Sequence, residues 1–344
     1  MNNVNRRALD ITLAVEARAK YAAMLSAEDR RRICALSSQD ELVALLARSD
    51  GWRQAVKALP AVGTTEEQFS AALDQELLAD FERLYRTASD TSKDFLRFIT
   101  LERELKAIKA ALRRLAAGGA PAAPESALNA PAGTHDQELN RLRDARSFPE
   151  LVSLCQKSIY GPALRSMQLD KKTGLPVYAE AVLSLEAQFN RALANYLRRE
   201  YKGPGKNTLI EAVSFRADMV NVTYLLRLRR FNTPPERAAE LLLPLGSVGA
   251  DTAKKVMAAE SDEAAMEVLR ASRVGRWLAG LGDTPPERVA EAAEEAYYRR
   301  VIHGAPTLRT VYAFLTLKEN EAAMLKRAFV ALGYGLSPEK YILQ

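Results

Sequence analysis

Between positions 94 and 115, in DFLRFITLERELKAIKAALRRL, apolar residues fall at 95, 98, 101, 105, 108, 112 and 115. Steps of three and four line one face of a helix, so this stretch predicts a long helix with one buried stripe. Asp94 stands as its N-terminal charge, and Arg113 and Arg114 occupy its last turn, where each suits the helix dipole. The same layout predicts a second long helix over about 208–231, opened by Thr208 and ending in Arg227, Arg229 and Arg230. A third, over about 307–332, ends near Lys326 and Arg327 and is stopped by Gly333 and Gly335.

The shorter amphipathic stretches recur. LVALLARSDGW at 42–52 shares its opening residues, its fourth Leu and its eighth Ser with LVSLCQKSIYG at 151–161, and AMEVLRASRVG at 265–275 is a fainter copy. Ser49, Ser158 and Ser272 hold the common position, and the copies begin at steps of 109 and 114 residues. LDQELLADF at 73–81, LEAQFNRAL at 185–193 and AEEAYYRRV at 293–301 follow at steps of 112 and 108. On the three long helices the acidic positions Glu104, Asp218 and Glu321 follow at 114 and 103, and Pro-x-Gly recurs at 131–133 and 244–246.

Four landmarks that keep order and spacing near 110 residues predict three related helical bundles in tandem, in which Leu42, Leu151 and Ala265 are equivalent. A leading segment, 1–23, precedes repeats at 24–132, 133–245 and 246–344; the last closes on SPEKYILQ, which matches TPPERAAEL at 233–241 and then stops. The Ala/Gly/Pro-rich stretch 116–135 resembles a flexible linker, yet 47 residues separate Glu104 from Leu151 and also Asp218 from Ala265. It therefore reads as a degenerate copy of TPPERAAELLLPLG, a turn and a loosened helix.

Composition agrees with an all-α chain: 48% of the 344 residues are hydrophobic and only 7% are aromatic. The net charge of +6 is mildly basic. The two cysteines form no disulfide or metal spacing, fitting a reducing compartment, and Cys155 takes the copy position of Leu46 and Leu269, that of a small core hydrophobe. No stretch suggests a signal peptide, lipid anchor or transmembrane helix.

Chemistry is sparse. KGPGKNT at 202–208 lacks the first Gly and the Ser or Thr of a phosphate loop and reads as a turn between helices. His135 and His303 have no zinc-spaced neighbours. Acidic pairs such as Glu102 with Glu104 sit on helices rich in Lys and Arg, where Glu102 has Lys106 one turn on. Neither a cofactor, a metal nor a catalytic residue is expected. The basic clusters Arg30–Arg32, Arg113–Arg114, Arg227–Arg230 and Arg299–Arg300 raise the alternative of a basic helical adaptor for nucleic acid or another acidic partner, although the helix dipole already accounts for several.

The C-terminal run FLTLKENEAAMLKRAFVALGYGLSPEKYI at 314–342 resembles the closing segment of the C subunit of prokaryotic V-type (A-type) ATPases, related to the d subunit of the eukaryotic vacuolar enzyme. Lys318, Glu319, Glu321, Lys326, Arg327, Gly333, Gly335, Leu336, Ser337 and Pro338 carry the match, and the family's threefold repeat and length extend it over the chain. Where the family often has Asn-Leu-Arg, this chain has Met324-Leu325-Lys326; only the second repeat keeps the amide, as Asp218-x-x-Asn221. The resemblance implies a three-lobed, funnel-like rotor part that seats the central shaft, made of the D and F subunits, on the proteolipid (c/K) ring. It would lie peripherally at the cytoplasmic face, without nucleic acid, and meet the membrane only through the ring. Glu104, Asp218, Asn221, Arg227, Glu321 and Lys326 are the candidate partner contacts. The carboxylates either line an inner wall and meet basic groups of the shaft, or pair with Arg or Lys of a neighbouring helix and hold their own lobes together.

Overall fold

A computed structural model describes residues 3–118, 135–202, 205–281, 284–286 and 288–342. Most of the stretch 116–135, with its Pro-x-Gly, and the centre of KGPGKNT lie outside the described residues. The described chain is all-α, as its periodicity predicts; in place of strands it has one isolated bridge, between Leu169 and Pro176.

The first part of the chain forms α1 (Asn3–Ala22), α2 (Ala27–Cys34), α3 (Gln39–Leu46), α4 (Arg53–Val56), α5 (Glu66–Thr87) and the long α6 (Asp90–Ala116). The middle forms α7 (His135–Asp144), α8 (Phe148–Leu154), α9 (Gly161–Arg165), α10 (Tyr178–Asn195) and the long α11 (Lys206–Arg230). Then come α12 (Pro235–Glu240), α13 (Ala250–Met257), α14 (Asp262–Ala271), α15 (Gly275–Leu278), α16 (Val289–His303) and the long α17 (Leu308–Gly333).

Local chemistry sets these ends. The helices of the opening motif, α3, α8 and α14, each start on a serine: Ser38, Ser147 and Ser261 accept from the backbone N–H of Glu41, Glu150 and Ala264. The long helices end alike, on left-handed residues at Gly118 (φ 66°), Asn232 (φ 53°) and Gly335 (φ 66°), each fourteen positions after its carboxylate. Thr233 N and Leu336 N then reach back to the carbonyls of Leu228 and Ala331, which closes two of these ends as Schellman turns.

Two compact units emerge, Met1–Lys93 with Glu295–Gln344, and Asp94–Glu294. In the first, α17 is the spine: α1, α3 and α5 pack along it, and Phe329 stacks on Phe69 of α5 at 4.2 Å. Leu42, Leu46, Trp52, Leu73 and Leu325 fill the surrounding core. In the second unit α11 packs with α10, α13 and α14, and α12 lies on α13.

The glycine after the recurring serine is a close-packing position. A Cβ at Gly275 would lie 1.9 Å from the Arg270 carbonyl oxygen, and one at Gly161 would lie 2.5 Å from that of Cys155. Gly275→Ala is therefore expected to destabilise the chain by about 1–3 kcal/mol, measured by urea denaturation. An unchanged midpoint would show that the turn opens without cost.

Candidate functional site

Of the three carboxylates picked out by spacing, Asp218 and Glu321 are buried and Glu104 is half-buried. Glu321, on α17, is 2% exposed. Its carboxylate accepts from Trp52 Nε1 at 2.7 Å and from the Leu25 N–H at 3.2 Å, and Arg30 stands 3.5 Å away while also meeting Glu295 at 2.9 Å. One turn earlier Lys318, also buried, donates to the Gly51 carbonyl at 2.7 Å with its Nζ 3.6 Å from the centre of the Trp52 ring. Burial pushes the Glu321 carboxyl above its ordinary range despite Lys318, Trp52 and Arg30, and burial pulls Lys318 below the usual lysine value despite Glu321.

Asp218, on α11, is 0% exposed. One of its oxygens accepts from the N–H groups of Ser247 and Val248, and the other from Ser247 Oγ at 2.7 Å and Trp277 Nε1 at 3.2 Å. One turn on, Asn221 accepts from the Leu243 N–H at 2.7 Å and donates to the Leu243 carbonyl at 3.3 Å. Together they clamp the Pro-x-Gly loop, in which Leu245 is held at φ 79°. A Cβ on Gly246 would sit 2.7 Å from Asn221 Nδ2 and 2.9 Å from Asp218 Oδ1, so the glycine is what lets the loop approach the clamp. One turn before Asp218, Phe215 meets the Trp277 ring edge-to-face at 5.2 Å.

Glu104, on α6, is half-buried. Its charge reaches Cys155 and Tyr160: burial, helped by Glu104, pushes the Cys155 thiol up to about 12, and the same causes push the Tyr160 phenol upward. Tyr160 donates to the carbonyl of Leu101, one turn before Glu104, at 2.7 Å.

A common design follows. A carboxylate on a long helix, with the residue three positions before it, lies by the aromatic side chain of the turn that carries the recurring serine and glycine. The turn belongs to the next copy along the sequence: Glu104 lies by Tyr160, Asp218 by Trp277, and Glu321 of the last copy by Trp52 of the first. A second contact repeats this phase. Five residues after the carboxylate, Lys109 meets Glu186 and Lys326 meets Asp74, both at 2.8 Å, and Asp74 and Glu186 hold the same place in their landmark.

Of the six sequence-chosen contacts, Asp218, Asn221 and Glu321 are thus taken up by the chain's own interior, and Lys326 is half-buried in an ion pair. Arg227 is exposed. The structure brings Asp218 and Asn221 onto one loop, whereas Glu321 and Lys326, on the same helix, meet different neighbours, Trp52 with Arg30 and Asp74. Cation pairing, expected of the carboxylates, holds for Glu321 with Arg30; around Asp218 the described donors are backbone, hydroxyl and indole groups.

Sequence spacing missed a buried network in the second unit. Glu186 pairs with Lys109 and, at 3.2 Å, with Arg216, which also meets Glu102 at 3.1 Å and stacks over Phe189. Burial alone would raise the Glu102 and Glu186 carboxyls, but Arg216 holds both below the ordinary range, helped by Lys106 at Glu102 and by Lys109 at Glu186. Among the described residues no group of three His, Cys, Asp or Glu is placed to hold a metal, and no helix is long and apolar enough to cross a membrane.

Comparison with known proteins adds two findings. The family model described as the ATP synthase (C/AC39) subunit matches residues 13–341. The C subunit of the A-type ATP synthase of Pyrococcus furiosus is 22% identical over 218 residues, which cover 61% of this chain and 58% of that protein.

Proposed function

Because the chain belongs to the ATP synthase (C/AC39) subunit family, we propose that it is a non-catalytic rotor component of an A/V-type ATPase, seating a shaft of the D and F subunits on the proteolipid ring at the cytoplasmic face of the membrane. One observation supports the non-catalytic part: the recurring buried carboxylates Asp218 and Glu321 are engaged in holding turns of their own chain. In this reading the repeats 24–132, 133–245 and 246–344 each contribute one lobe to the seat, and the family relationship supports that use.

The basic clusters argue in the same direction. Arg229 and Arg230 pair with Asp262 at 2.9 and 3.1 Å, Arg114 donates to the carbonyls of Arg143 and Ala145, and Arg30 is buried. Guanidiniums so engaged offer little to a phosphate backbone.

Affinity isolation from native membranes is expected to recover shaft and ring subunits with this chain, and alkaline or low-ionic-strength washing is expected to release it. Arg227→Glu, at an exposed position, should weaken retention about 3–10-fold with an unchanged thermal midpoint. Tight DNA binding at physiological salt, without co-purifying ATPase subunits, would overturn the proposal in favour of the nucleic-acid adaptor.

A further inference from the structure

The chain passes between its two compact units twice, both times inside a helix. α6 leaves the first unit after Lys93, and α16 enters it at Glu295, so residues 90–93 of one and 295–303 of the other belong to the first unit. Both of these helix ends are met by one element, α1. Asp10 reaches the first of them from a buried position. Its Oδ1 accepts from Ser92 Oγ at 2.5 Å and from Ser89 Oγ at 3.2 Å, and Ser89, the residue before α6, accepts from the Ser92 N–H at 3.3 Å. Glu16 touches the same junction, accepting from Thr87 Oγ1 at 3.4 Å.

Arg18, eight residues after Asp10, reaches the other end. Its guanidinium donates to the Ile302 carbonyl at 2.8 Å and to the carbonyl of Gly304, and Tyr21 meets His303, the last residue of α16, edge-to-face at 5.9 Å. The last carbonyls of a helix lack donors within it and form its negative end, and the first N–H groups form its positive end. Each charge on α1 therefore stands at a helix end of the opposite sign, and eight residues of helix space the two clasps about 12 Å apart. α1 itself is seated on α17, with Leu13, Ala14 and Ala17 buried, and Lys20 ties it to Asp80 within α5 at 2.5 Å, away from both crossings.

We infer that α1 is a two-armed brace. Through Asp10 and Arg18 it fixes the directions in which α6 leaves and α16 enters the first unit, and so sets the stiffness of the joint between the two units. Loss of the clasps loosens that joint and leaves each unit folded. The core around Trp52, Phe69 and Phe329 supports the second half of this statement, because its described members come from α2 to α5, α17 and the segments beside them, with none from α1. Such a brace depends on the fold alone and stands or falls apart from the proposed function; in a rotor it would set how stiffly twist passes along the chain.

The test uses the full chain with Cys34→Ala, since Cys155 is fully buried, and spin labels at Val62→Cys in the first unit and Phe231→Cys in the second, both exposed positions. Pulsed electron resonance reads the spread of label-to-label distances, and amide exchange reads each helix. Asp10→Ala combined with Arg18→Ala is expected to widen the spread at least about twofold, as a loosened hinge does. Exchange at residues 90–93 and 299–303 should quicken at least about tenfold, while residues 324–332 of α17 keep their protection. Lys20→Ala is the control: it removes a contact of the same helix that touches neither crossing, and it should leave the spread as in the native chain. An unchanged spread in the double variant overturns the brace. So does a Lys20→Ala spread as wide as that of the double variant, which would mean that α1 acts only through the general stability of its unit. Loss of protection in α17 in step with residues 90–93 overturns it as well, because α1 would then belong to the core.

Discussion

Asp218→Ala is expected to lower the unfolding free energy by about 3–5 kcal/mol, the largest effect among single substitutions in the Asp94–Glu294 unit. The carboxylate serves four donors: the N–H groups of Ser247 and Val248, the Ser247 hydroxyl and the Trp277 indole. A buried donor stripped of its acceptor costs about 1–3 kcal/mol, and partial opening of the loop to water lowers the sum. Asp218→Asn keeps one acceptor oxygen but turns an NH₂ toward donors, so an intermediate loss is expected. Urea denaturation followed by far-ultraviolet circular dichroism reads both. The same variant decides between the two uses of this residue. Loss of stability marks an internal clamp, whereas unchanged stability with weakened shaft binding would mark a partner contact and overturn the clamp.

Much of this was legible in the sequence because helices announce themselves through spacing. The apolar steps of three and four placed α6, α11 and α17, and subtraction of positions singled out Glu104, Asp218 and Glu321 without any structure. The ends were less legible. Thr208 looks like the start of α11, but its hydroxyl donates to the Gly205 carbonyl at 2.7 Å from inside the first turn, and the helix begins at Lys206. Asp94 likewise lies within α6, which begins at Asp90.

The aromatic partners were hidden by offset. Tyr160 precedes its glycine, Trp52 follows Gly51 directly, and Trp277 follows Gly275 by two, so aligned copies do not superimpose the rings. Nor can a repeat period say which copy packs against which. That the α17 carboxylate seats the turn of the first copy depends on the chain returning on itself, a contact between residues 52 and 321. The Lys109–Glu186–Arg216–Glu102 network escaped for the same reason, since i,i+4 reasoning sees partners on one helix and this network joins three.

At Glu321 the expected results separate charge from hydrogen bonding. Glu321→Ala leaves the Trp52 indole and the Leu25 N–H without their acceptor and removes one buried counter-charge from Arg30, which keeps Glu295, and from Lys318, so a loss of about 3–5 kcal/mol is expected at neutral pH. Glu321→Gln keeps an acceptor for Trp52 and should cost less. The two also differ from the native chain in pH dependence. Because burial raises the Glu321 carboxyl, the folded chain holds that proton more tightly than the unfolded chain does. Its contribution is therefore fully present below the unfolded carboxylate value and is lost as pH climbs through the raised one. Glu102 and Glu186, held low by Arg216, act with the opposite sign and lose their contribution as pH falls through their depressed values. They are common to both proteins, so the difference in thermal midpoint between Glu321→Gln and the native chain isolates Glu321. That difference should move in favour of the glutamine variant as pH rises from about 4 into the neutral range. A difference that stays constant over the same range would mean that Glu321 titrates in the folded chain as it does in the unfolded one, and that burial does not govern it.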